Sequence, residues 1–536
     1  MPTNVSYPGV YLEEIPSGVH AIAGVATSVT AFVGTAVRGP TNRTVTVTSF
    51  GDFERVFGGL NRDLMLGYAV RDFFANGGVQ AIVVRLYAKP NGFAANATFD
   101  IANLTLESAS EGAWGNQVRV RVDQNPATDP DLVAVAAALE VDPADVFDLT
   151  ARDGGTGRIE SFLNVTTKES GRRVDRVLST ESTLIRVSSS LALPTDPAPP
   201  ADAGTLLDAD VWITDSKSTA AKSSPASSTA ADSAALVAAD FNGSQPAQTG
   251  IYALDQAELF NLLCITADDR GGDVPDEVYS QALDYCVTRR AVLLVDAKAA
   301  WSDPSAAQAG LAAMNLAGDR ARNAAIYFPR IKQADPMLGG QVDTFAPSGS
   351  VAGVVARTDS QRGVWKAPAG TAASLNGAAG LAVDLTDAEN AVLSPFGINC
   401  LRTFAAFGSV VWGARTLRGA DAAADEYKYL PVRRTALYIE ESLCRGLGWA
   451  VFEPNDEPLW AQIRLNVGAF LHDMFRQGAF QGPTPDEAYL VKCDEETTTQ
   501  NDVDLGVVNI LVGFAALKPA EFVIIRLQQL AGRIEA

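Results

Sequence analysis

The stretch LFNLLCITADDRGGDVPDEVYSQALDYCVTRRAVLLVD, residues 259 to 296, carries the pattern that decides the fold. Its two ends, LFNLLCI and RAVLLVD, are short apolar runs of the kind found in strands that are buried on both faces. Between them, PDEVYSQALDYCVTR predicts a helix with Pro275 near its start. Alternation of strands and helices at this spacing is typical of a doubly wound sheet.

The alternation extends in both directions from this stretch. Downstream, DPSAAQAGLAAMNLA predicts a helix, NAAIYFP a strand and APSGSVAGVVARTD the start of another helix. Upstream, from Thr27 to about Tyr87, the strand patterns SVTAFVGTA, RTVTVTSF and QAIVVRLY alternate with the helix patterns GDFERVFGGL and RDLMLGYAVRDFFANGG. This order predicts a βαβ unit with a parallel pair of strands. We therefore expect an α/β core with a doubly wound sheet, formed by residues 21–97 and 249–430.

Three further segments depart from this alternation. Residues 98–192 contain short alternating strands, such as NQVRVRV, VFDLTAR and ESFLNVT, which predict an inserted β-sandwich-like domain. Residues 193–248 are rich in Pro, Ser and Ala, and this composition predicts a flexible or weakly structured linker. Residues 431–517 predict a C-terminal α+β domain, with two helix patterns followed by the strand patterns EAYLVKC and VVNILVGFAAL.

Both ends of the chain contain a strand pattern. In the N-terminal arm, residues 1–20, Val10–Ile15 lies between turn residues. In the C-terminal arm, residues 518–536, Phe522–Leu527 is apolar on nearly both faces and must therefore be buried. A terminal strand reaches a sheet without any chain having to follow it, so it pairs either within its own chain or with a neighbouring copy. The residues alone leave both alternatives open.

Composition excludes several classes of protein. The formal net charge of −21 argues against a general binder of nucleic acid, which needs clustered Lys and Arg. No apolar run approaches the length of about 18 residues that spans a bilayer, and no secretory signal is visible, so we expect synthesis in the cytoplasm and no direct membrane insertion. Five scattered cysteines are typical of buried thiols in a reducing compartment. They are Cys264, Cys286, Cys400, Cys444 and Cys493.

The sequence gives little support to catalysis. With only two histidines, His20 and His472, paired-histidine zinc sites are impossible, and no phosphate loop or nucleophile elbow is present. Ser350 precedes a helix and is better interpreted as an N-cap than as a nucleophile. The acidic turn TADDRGGD, with Asp268, Asp269 and Asp273, has the residues of a hard-cation site, but a solvated turn is the better interpretation. We predict no enzyme activity, no metal and no cofactor.

Several motifs of the second half resemble those of the contractile tail sheath family. They are FAPSGSVAGVVARTDSQRGVWKAPAG (345–370), LSPFGINCLRTF (393–404), YKYLPVRR (427–434), VFEPNDEPLW (451–460) and KPAEFVIIRL (518–527). YPGVYLEEIPSG and TSVTAFVG resemble the family's N-terminal opening, so the resemblance covers about 1–90 and 250–536. The segment 418–430 is longer and richer in Ala and Asp than the family pattern. The alternatives are another structural particle protein, such as a tube or capsid subunit, and a hydrolase with a subtilisin-like core.

The resemblance implies a non-enzymatic subunit of a homo-oligomeric, helical sheath built from stacked hexameric rings. Its partners would be an inner tube protein, a baseplate and tail terminator or cap proteins, with no nucleic acid and no cofactor. The particle would be assembled in the bacterial cytoplasm and would be a phage tail or a contractile injection particle. The sheath would contract from a metastable extended state and drive the tube through a target envelope, with the inserted β domain on its outer surface.

The resemblance also implies roles for particular residues. Strand exchange between subunits is assigned to Val10, Tyr11, Leu12, Glu13 and Ile15 at one end, and to Glu521, Phe522, Val523, Ile524, Ile525, Arg526 and Leu527 at the other. Contact with the tube is assigned to Arg464, His472 and Arg476 in the helix PLWAQIRLNVGAFLHDMFRQG. The alternative for these three is that they are ordinary solvated or intersubunit charges.

Overall fold

The computed structural model describes residues 20–101, 104–124, 127–188, 224, 226–522 and 524. Within them, the core is a mixed sheet of eight strands. Across the sheet these are β17 (Gly408–Val411), β16 (Ile398–Phe404), β12 (Ala324–Phe328), β11 (Val292–Asp296), β10 (Leu262–Ile265), β1 (Thr30–Thr35), β3 (Ala81–Leu86) and β2 (Thr44–Val47). The six inner strands are parallel, and the two edge strands, β2 and β17, are antiparallel to their neighbours.

Helices cover both faces of this sheet. One face packs against α1 (Phe50–Phe57), α2 (Leu66–Ala75) and α8 (Ser348–Arg362). The other packs against α5 (Ala238–Asn242), α6 (Asp276–Thr288), α7 (Pro304–Ala313) and α9 (Asp387–Leu393). Alternate residues of a strand enter opposite layers, as Phe32 and Val33 do in β1. Strands buried on both sides account for the near-continuous apolar runs, and the prediction of an α/β core with a large sheet is confirmed.

The segment between the two halves of the core forms two three-stranded antiparallel sheets. They consist of β4 (Thr98–Ile101), β5 (Leu104–Ser108) and β9 (Ile185–Val187), and of β6 (Val118–Asp123), β7 (Val146–Asp153) and β8 (Ile159–Thr166). Helices α3 (Pro130–Leu139) and α4 (Val174–Glu181) accompany them. Phe99 and Leu106 of the first sheet share one apolar cluster with Val120, Leu149 and Phe162 of the second. The two sheets therefore enclose a common core, separate from those of the eight-stranded sheet.

The prediction of a weakly structured linker over 193–248 is wrong for its last part. Ser224 exchanges backbone hydrogen bonds with Val120 of β6, at 2.7 and 3.0 Å. A few residues later, the Thr98 amide of β4 donates to Ser228, and Ala230 is buried in the common core. Small Ser and Ala side chains let this strand-like segment lie against both sheets. Amino-acid composition predicts disorder here because it contains no information about backbone hydrogen bonds to strands that are distant in sequence.

The inserted sheets are joined to the α/β core by buried charges. Arg38, which follows β1, donates to Asp153 at 3.1 Å, and both side chains are largely buried. Arg85 of β3 donates to the carboxylate of Glu111 at 3.0 Å and to its carbonyl at 2.8 Å. Since buried charges are retained only when they are paired, these contacts fix the insert to the core.

The remaining elements complete the chain. A small antiparallel sheet, β13 (Ile331–Asp335), β14 (Gln341–Phe345) and β15 (Ala378–Leu381), lies beside the core. The C-terminal region contains α10 (Leu430–Gly446), α11 (Glu457–Arg476), α12 (Pro485–Ala488), α13 (Gln500–Asp504), β18 (Tyr489–Lys492) and β19 (Leu511–Phe514). Its own apolar cluster includes Ile439 of α10 and Ile463, Val467 and Leu471 of α11. In the described part of the chain no helix combines the length and apolarity required to span a bilayer.

Candidate assembly surfaces

Strands β18 and β19 form an antiparallel sheet of only two strands. Tyr489 and Val491 of β18 lie opposite Phe514 and Val512 of β19, and these four pack onto the apolar cluster around α11. Among the described residues no further strand pairs with either one, apart from a single bridge at Ala516 beyond the end of β19. Two-stranded sheets are marginally stable in water, and their edges present unpaired N–H and C=O groups. This sheet can therefore accept an added strand.

A charge network around the buried Arg415 side chain fixes the start of the C-terminal arm. The Arg415 side chain donates from Nε and Nη2 to the two carboxylate oxygens of Glu521, at 2.7 and 2.6 Å. Its third nitrogen donates to the Ser394 carbonyl and to Asp421, and Tyr429 donates its hydroxyl to Glu521 at 3.1 Å. A bidentate arginine–carboxylate pair sets position as well as energy. Glu521, predicted to take part in strand exchange, thus binds its own chain through its side chain.

Two large apolar side chains at the start of the C-terminal arm are exposed. Phe522 is 76% exposed and Ile524 is 80% exposed, although both are large apolar residues. Both side chains are therefore available to contact a partner, as the alternate side chains of an added strand do. The other predicted exchange residues lie outside the described residues. They are Val10, Tyr11, Leu12, Glu13 and Ile15 in the N-terminal arm and Val523, Ile525, Arg526 and Leu527 in the C-terminal arm.

The first described residues are attached to the C-terminal region. The His20 ring stacks on Trp449 with 4.4 Å between centroids. The Val25 amide donates to the Ser442 hydroxyl of α10 at 3.2 Å, and Ile22 is buried in the apolar cluster of that region. Residues 20–25 therefore lie beside α10 and Trp449.

The three residues predicted to contact a tube lie on one helix but differ in their surroundings. Arg464 forms an ion pair with Glu457 at 2.5 Å and donates to the Cys493 carbonyl. His472 forms a hydrogen bond with the Tyr489 hydroxyl at 3.1 Å. Arg476 is exposed at the end of α11 and forms no ion pair with any residue that the structure describes. Of the two arginines, Arg476 is therefore the one whose charge is not paired with a described carboxylate.

The serine considered as a possible nucleophile lies buried at the start of α8. Helix α8 begins at Ser348, so the prediction that Ser350 caps it is wrong: Ser350 lies within the first turn and is buried. The N-cap position is Pro347, which has no capping side-chain bond. Asp296 at the end of β11 instead accepts bonds from the Ser348 amide at 2.8 Å and hydroxyl at 2.7 Å. Within the described ranges, neither histidine forms a hydrogen bond with Ser348 or Ser350.

The acidic turn does not gather its carboxylates around one point. Asp268 accepts from the Thr35 hydroxyl and from the Leu236 amide, whereas Asp273 accepts from Arg330 and from the Ala299 amide. Nowhere in the described ranges do three or more His, Cys, Asp or Glu side chains come together in a way that could hold a metal ion. The oxygens of these two residues thus serve local structure.

The buried carboxyl of Asp296 predicts a pH effect on stability. Burial raises its pKa from 3.8 to about 6, against the opposing effects of bonds from Ser348 and of Arg330. The folded protein therefore binds this proton more tightly than the unfolded chain. Protonated Asp296 adds to the free energy of unfolding at low pH, and this addition is lost as pH rises through 6. We expect Asp296→Asn to become more stable relative to wild type between pH 4 and pH 7, by about 2 kcal/mol.

Urea unfolding of both proteins across this pH range measures the difference. Nearby groups that also act on Asp296 are Tyr279, Arg330 and Asp273, and all three are retained in the variant. Parallel stability curves for the two proteins would show that Asp296 stays charged in the fold.

Comparisons with known proteins relate most of the second half to one family. The family model described as phage tail sheath protein central domain matches residues 243–417, and the one described as phage tail sheath C-terminal domain matches residues 423–529. A curated relative, the tail sheath protein of Vibrio phage KVP40, is 29% identical over 175 residues. That alignment covers 32% of this chain and 24% of the relative, so the chain matches about a quarter of the relative's length.

Solved structures share the fold over nearly the whole chain. The helical sheath of the anti-feeding prophage in its contracted state is 22% identical, with 98% of this chain and 99% of that chain covered and a TM-score of 0.54. The sheath complex of an extracellular contractile injection system called PVC, also contracted, is 21% identical with 98% of both chains covered and a TM-score of 0.54. A sheath tail protein from Listeria innocua is 12% identical over 92% of this chain and 96% of that one, with a TM-score of 0.58.

Proposed function

The chain belongs to the contractile tail sheath family, and on that premise we propose that it is the structural subunit of a contractile sheath. Copies stack as hexameric rings into a helical sheath around an inner tube, between a baseplate and a terminator or cap protein. The sheath is assembled in the bacterial cytoplasm and becomes part of a phage tail or an injection particle. It contracts from a metastable extended state and drives the tube through a target envelope.

The two-stranded sheet β18–β19 is the observation that carries this proposal. Its edges can accept the terminal strands of adjacent copies, and the side chains of Phe522 and Ile524 in the C-terminal arm are exposed. Main-chain pairing supplies affinity in such an added strand, while alternate side chains fix its register. Each subunit then acts as a node that is linked to neighbours by its arms.

Contraction in this scheme moves subunits as near-rigid bodies between two packings. The energy comes from additional contact area in the shorter lattice. At roughly 25 cal/mol per Å², a few hundred Å² of newly buried apolar surface gives about 5–10 kcal/mol per subunit before polar and entropic costs. Contraction needs no nucleotide, because the free-energy difference between the two lattices is already present in the extended sheath.

Electron microscopy of purified protein in nucleotide-free buffer tests the function. We expect hollow, ridged cylinders that are wider than a tube, and contraction of tube-filled particles without ATP or GTP. A protein that stays small, one that forms narrow smooth cylinders, or contraction that requires a nucleotide would each contradict the proposal.

We propose further that the exposed side of α11 faces the inner tube, with Arg476 and His472 opposite acidic tube residues. Arg476→Glu is expected to weaken co-sedimentation of sheath with purified tube about tenfold at low salt, equivalent to about 1.4 kcal/mol. Arg464→Glu should have a smaller effect, because Arg464 is already paired with Glu457. The matched control is Arg62→Glu, the same charge change at an exposed site before α2. Equal tube binding by the Arg476 and Arg62 variants would exclude this orientation of α11.

A further inference from the structure

The loop between α10 and α11 holds an aromatic ring in solvent. Phe452 is 100% exposed and has a φ of 72°, and its neighbour Val451 is also exposed. A bulky residue rarely adopts a positive φ, and such strain persists where the surroundings impose it and function uses it. We call Val451 and Phe452 the knob.

Hydrogen bonds fix the loop that carries the knob. The Asn455 side chain donates to the Val507 carbonyl at 3.0 Å and accepts from the Trp460 indole nitrogen at 2.9 Å. The ring is thus presented by a braced loop. Two acidic residues, Glu453 and Asp456, follow Phe452 in the chain. Neither forms an ion pair with any residue that the structure describes.

A cleft elsewhere on the chain has the complementary chemistry. Its volume is about 920 Å³, and it lies between the end of α8, strand β16, residues 412–415 after β17, and residues 517–522. Trp365 and Trp412 supply aromatic surface in its wall. Pockets that enclose several side chains or a drug-sized ligand typically measure about 300–1,000 Å³, so the cleft has room for a large side chain.

The cleft is positively charged, although the chain as a whole carries a net charge of −21. Arg362, Lys366 and Lys518 line it, and over the described ranges none of them is in an ion pair. Arg415, also in the wall, is already neutralised by Glu521 and Asp421. Burial, and then the nearby charge of Arg362, lower the pKa of Lys366, as expected where a carboxylate partner is lacking.

We propose that the knob of one copy inserts into this cleft of a second copy. Phe452 would lie among Trp365 and Trp412, with Glu453 and Asp456 close to Arg362 and Lys366. Knob and cleft are different surfaces of the same chain, so the contact is heterologous, and heterologous contacts that do not close generate helical polymers. The inference rests on the proposed function, to which it adds a specific contact between subunits.

The critical concentration for cylinder formation, measured by pelleting, tests this contact. Phe452→Ala is expected to raise it at least tenfold without changing the melting temperature of the unassembled protein, because the ring has no contacts to lose. The matched control is Phe93→Ala, a comparably apolar position that is 58% exposed, and it should assemble as wild type does.

Charge exchange identifies the cleft as the partner. Glu453→Lys and Lys366→Glu should each impair assembly, and the double variant should recover it, because the side chains at positions 453 and 366 then again carry opposite charges. Arg362→Glu replaces Lys366→Glu if the latter lowers the melting temperature. If Phe452→Ala assembles as wild type does, the inference is overturned. It is also overturned if the single charge variants impair assembly and the double variant does not restore it. That second result is expected if the knob binds the tube or an arm. Absence of cylinders with the wild-type chain overturns the proposed function instead.

Discussion

A protein truncated after Glu521 is expected to fold normally and to lose the ability to form cylinders. The truncation removes Phe522 and everything beyond it but keeps the Arg415–Glu521 pair, so the buried Arg415 side chain keeps its carboxylate partner. Since Phe522 and Ile524 are exposed, the free energy of unfolding should change by less than about 1 kcal/mol. Loss of a donated strand should raise the critical concentration more than about 100-fold, or about 2.7 kcal/mol per contact.

Pelleting and electron microscopy measure assembly, and urea unfolding measures stability. A second truncation, after Ala520, serves as the comparison. It also removes the Glu521 carboxylate from Arg415, which is buried and keeps only Asp421 as a charged partner. That variant should lose roughly 2–4 kcal/mol of stability in addition to assembly. If the protein truncated after Glu521 assembled at the wild-type concentration, the C-terminal strand would not be donated.

Replacement of Arg434 by Met is expected to cause the largest loss of stability. Arg434 of α10 donates to both carboxylate oxygens of Asp359 in α8, at 2.8 and 2.6 Å, and to the Thr27 carbonyl at 2.8 Å. Both charged side chains are only 3% exposed. The variant leaves the Asp359 carboxylate buried without its partner, which costs about 3–5 kcal/mol.

Urea unfolding checks this value, and Arg434→Met combined with Asp359→Leu provides the control. Removing both charges should restore much of the lost stability, because apolar replacements of a buried pair are often tolerated. A loss below about 1 kcal/mol in the single variant would show that α8 and α10 are held together by other contacts. The prediction matters for the mechanism, because contraction by near-rigid bodies needs the core and the C-terminal region to move as one.

Much of the core could be predicted from the sequence because its strands are buried on both faces. β10, β11 and β12 read as short apolar runs, and helices with one apolar face separate them. β16 was missed because INCLRTF includes Asn399 and Arg402. The Asn399 amide nitrogen is satisfied by the carbonyls of Ile326 and Arg415, which lie far away in the chain, and a local pattern does not contain such partners.

The assembly surfaces were predictable only in part for the same reason. The C-terminal strand stands out as apolar on both faces, but the contact between Glu521 and Arg415 joins residues that are distant in sequence. Likewise, Arg464 and Arg476 look equivalent on one helix, yet among the described residues Arg464 forms an ion pair with Glu457 and Arg476 forms none. The exposed ring of Phe452 depends on a backbone conformation that residue type alone disfavours.

A cryo-electron microscopy reconstruction of the assembled cylinder, at a resolution that traces the backbone of both arms, would show whether strands cross between copies. We expect β18 and β19 of each copy to be extended by Val10–Ile15 and by residues 522–527 from adjoining copies. A reconstruction in which both terminal segments pair within their own chain, with no strand crossing between copies, would contradict this expectation.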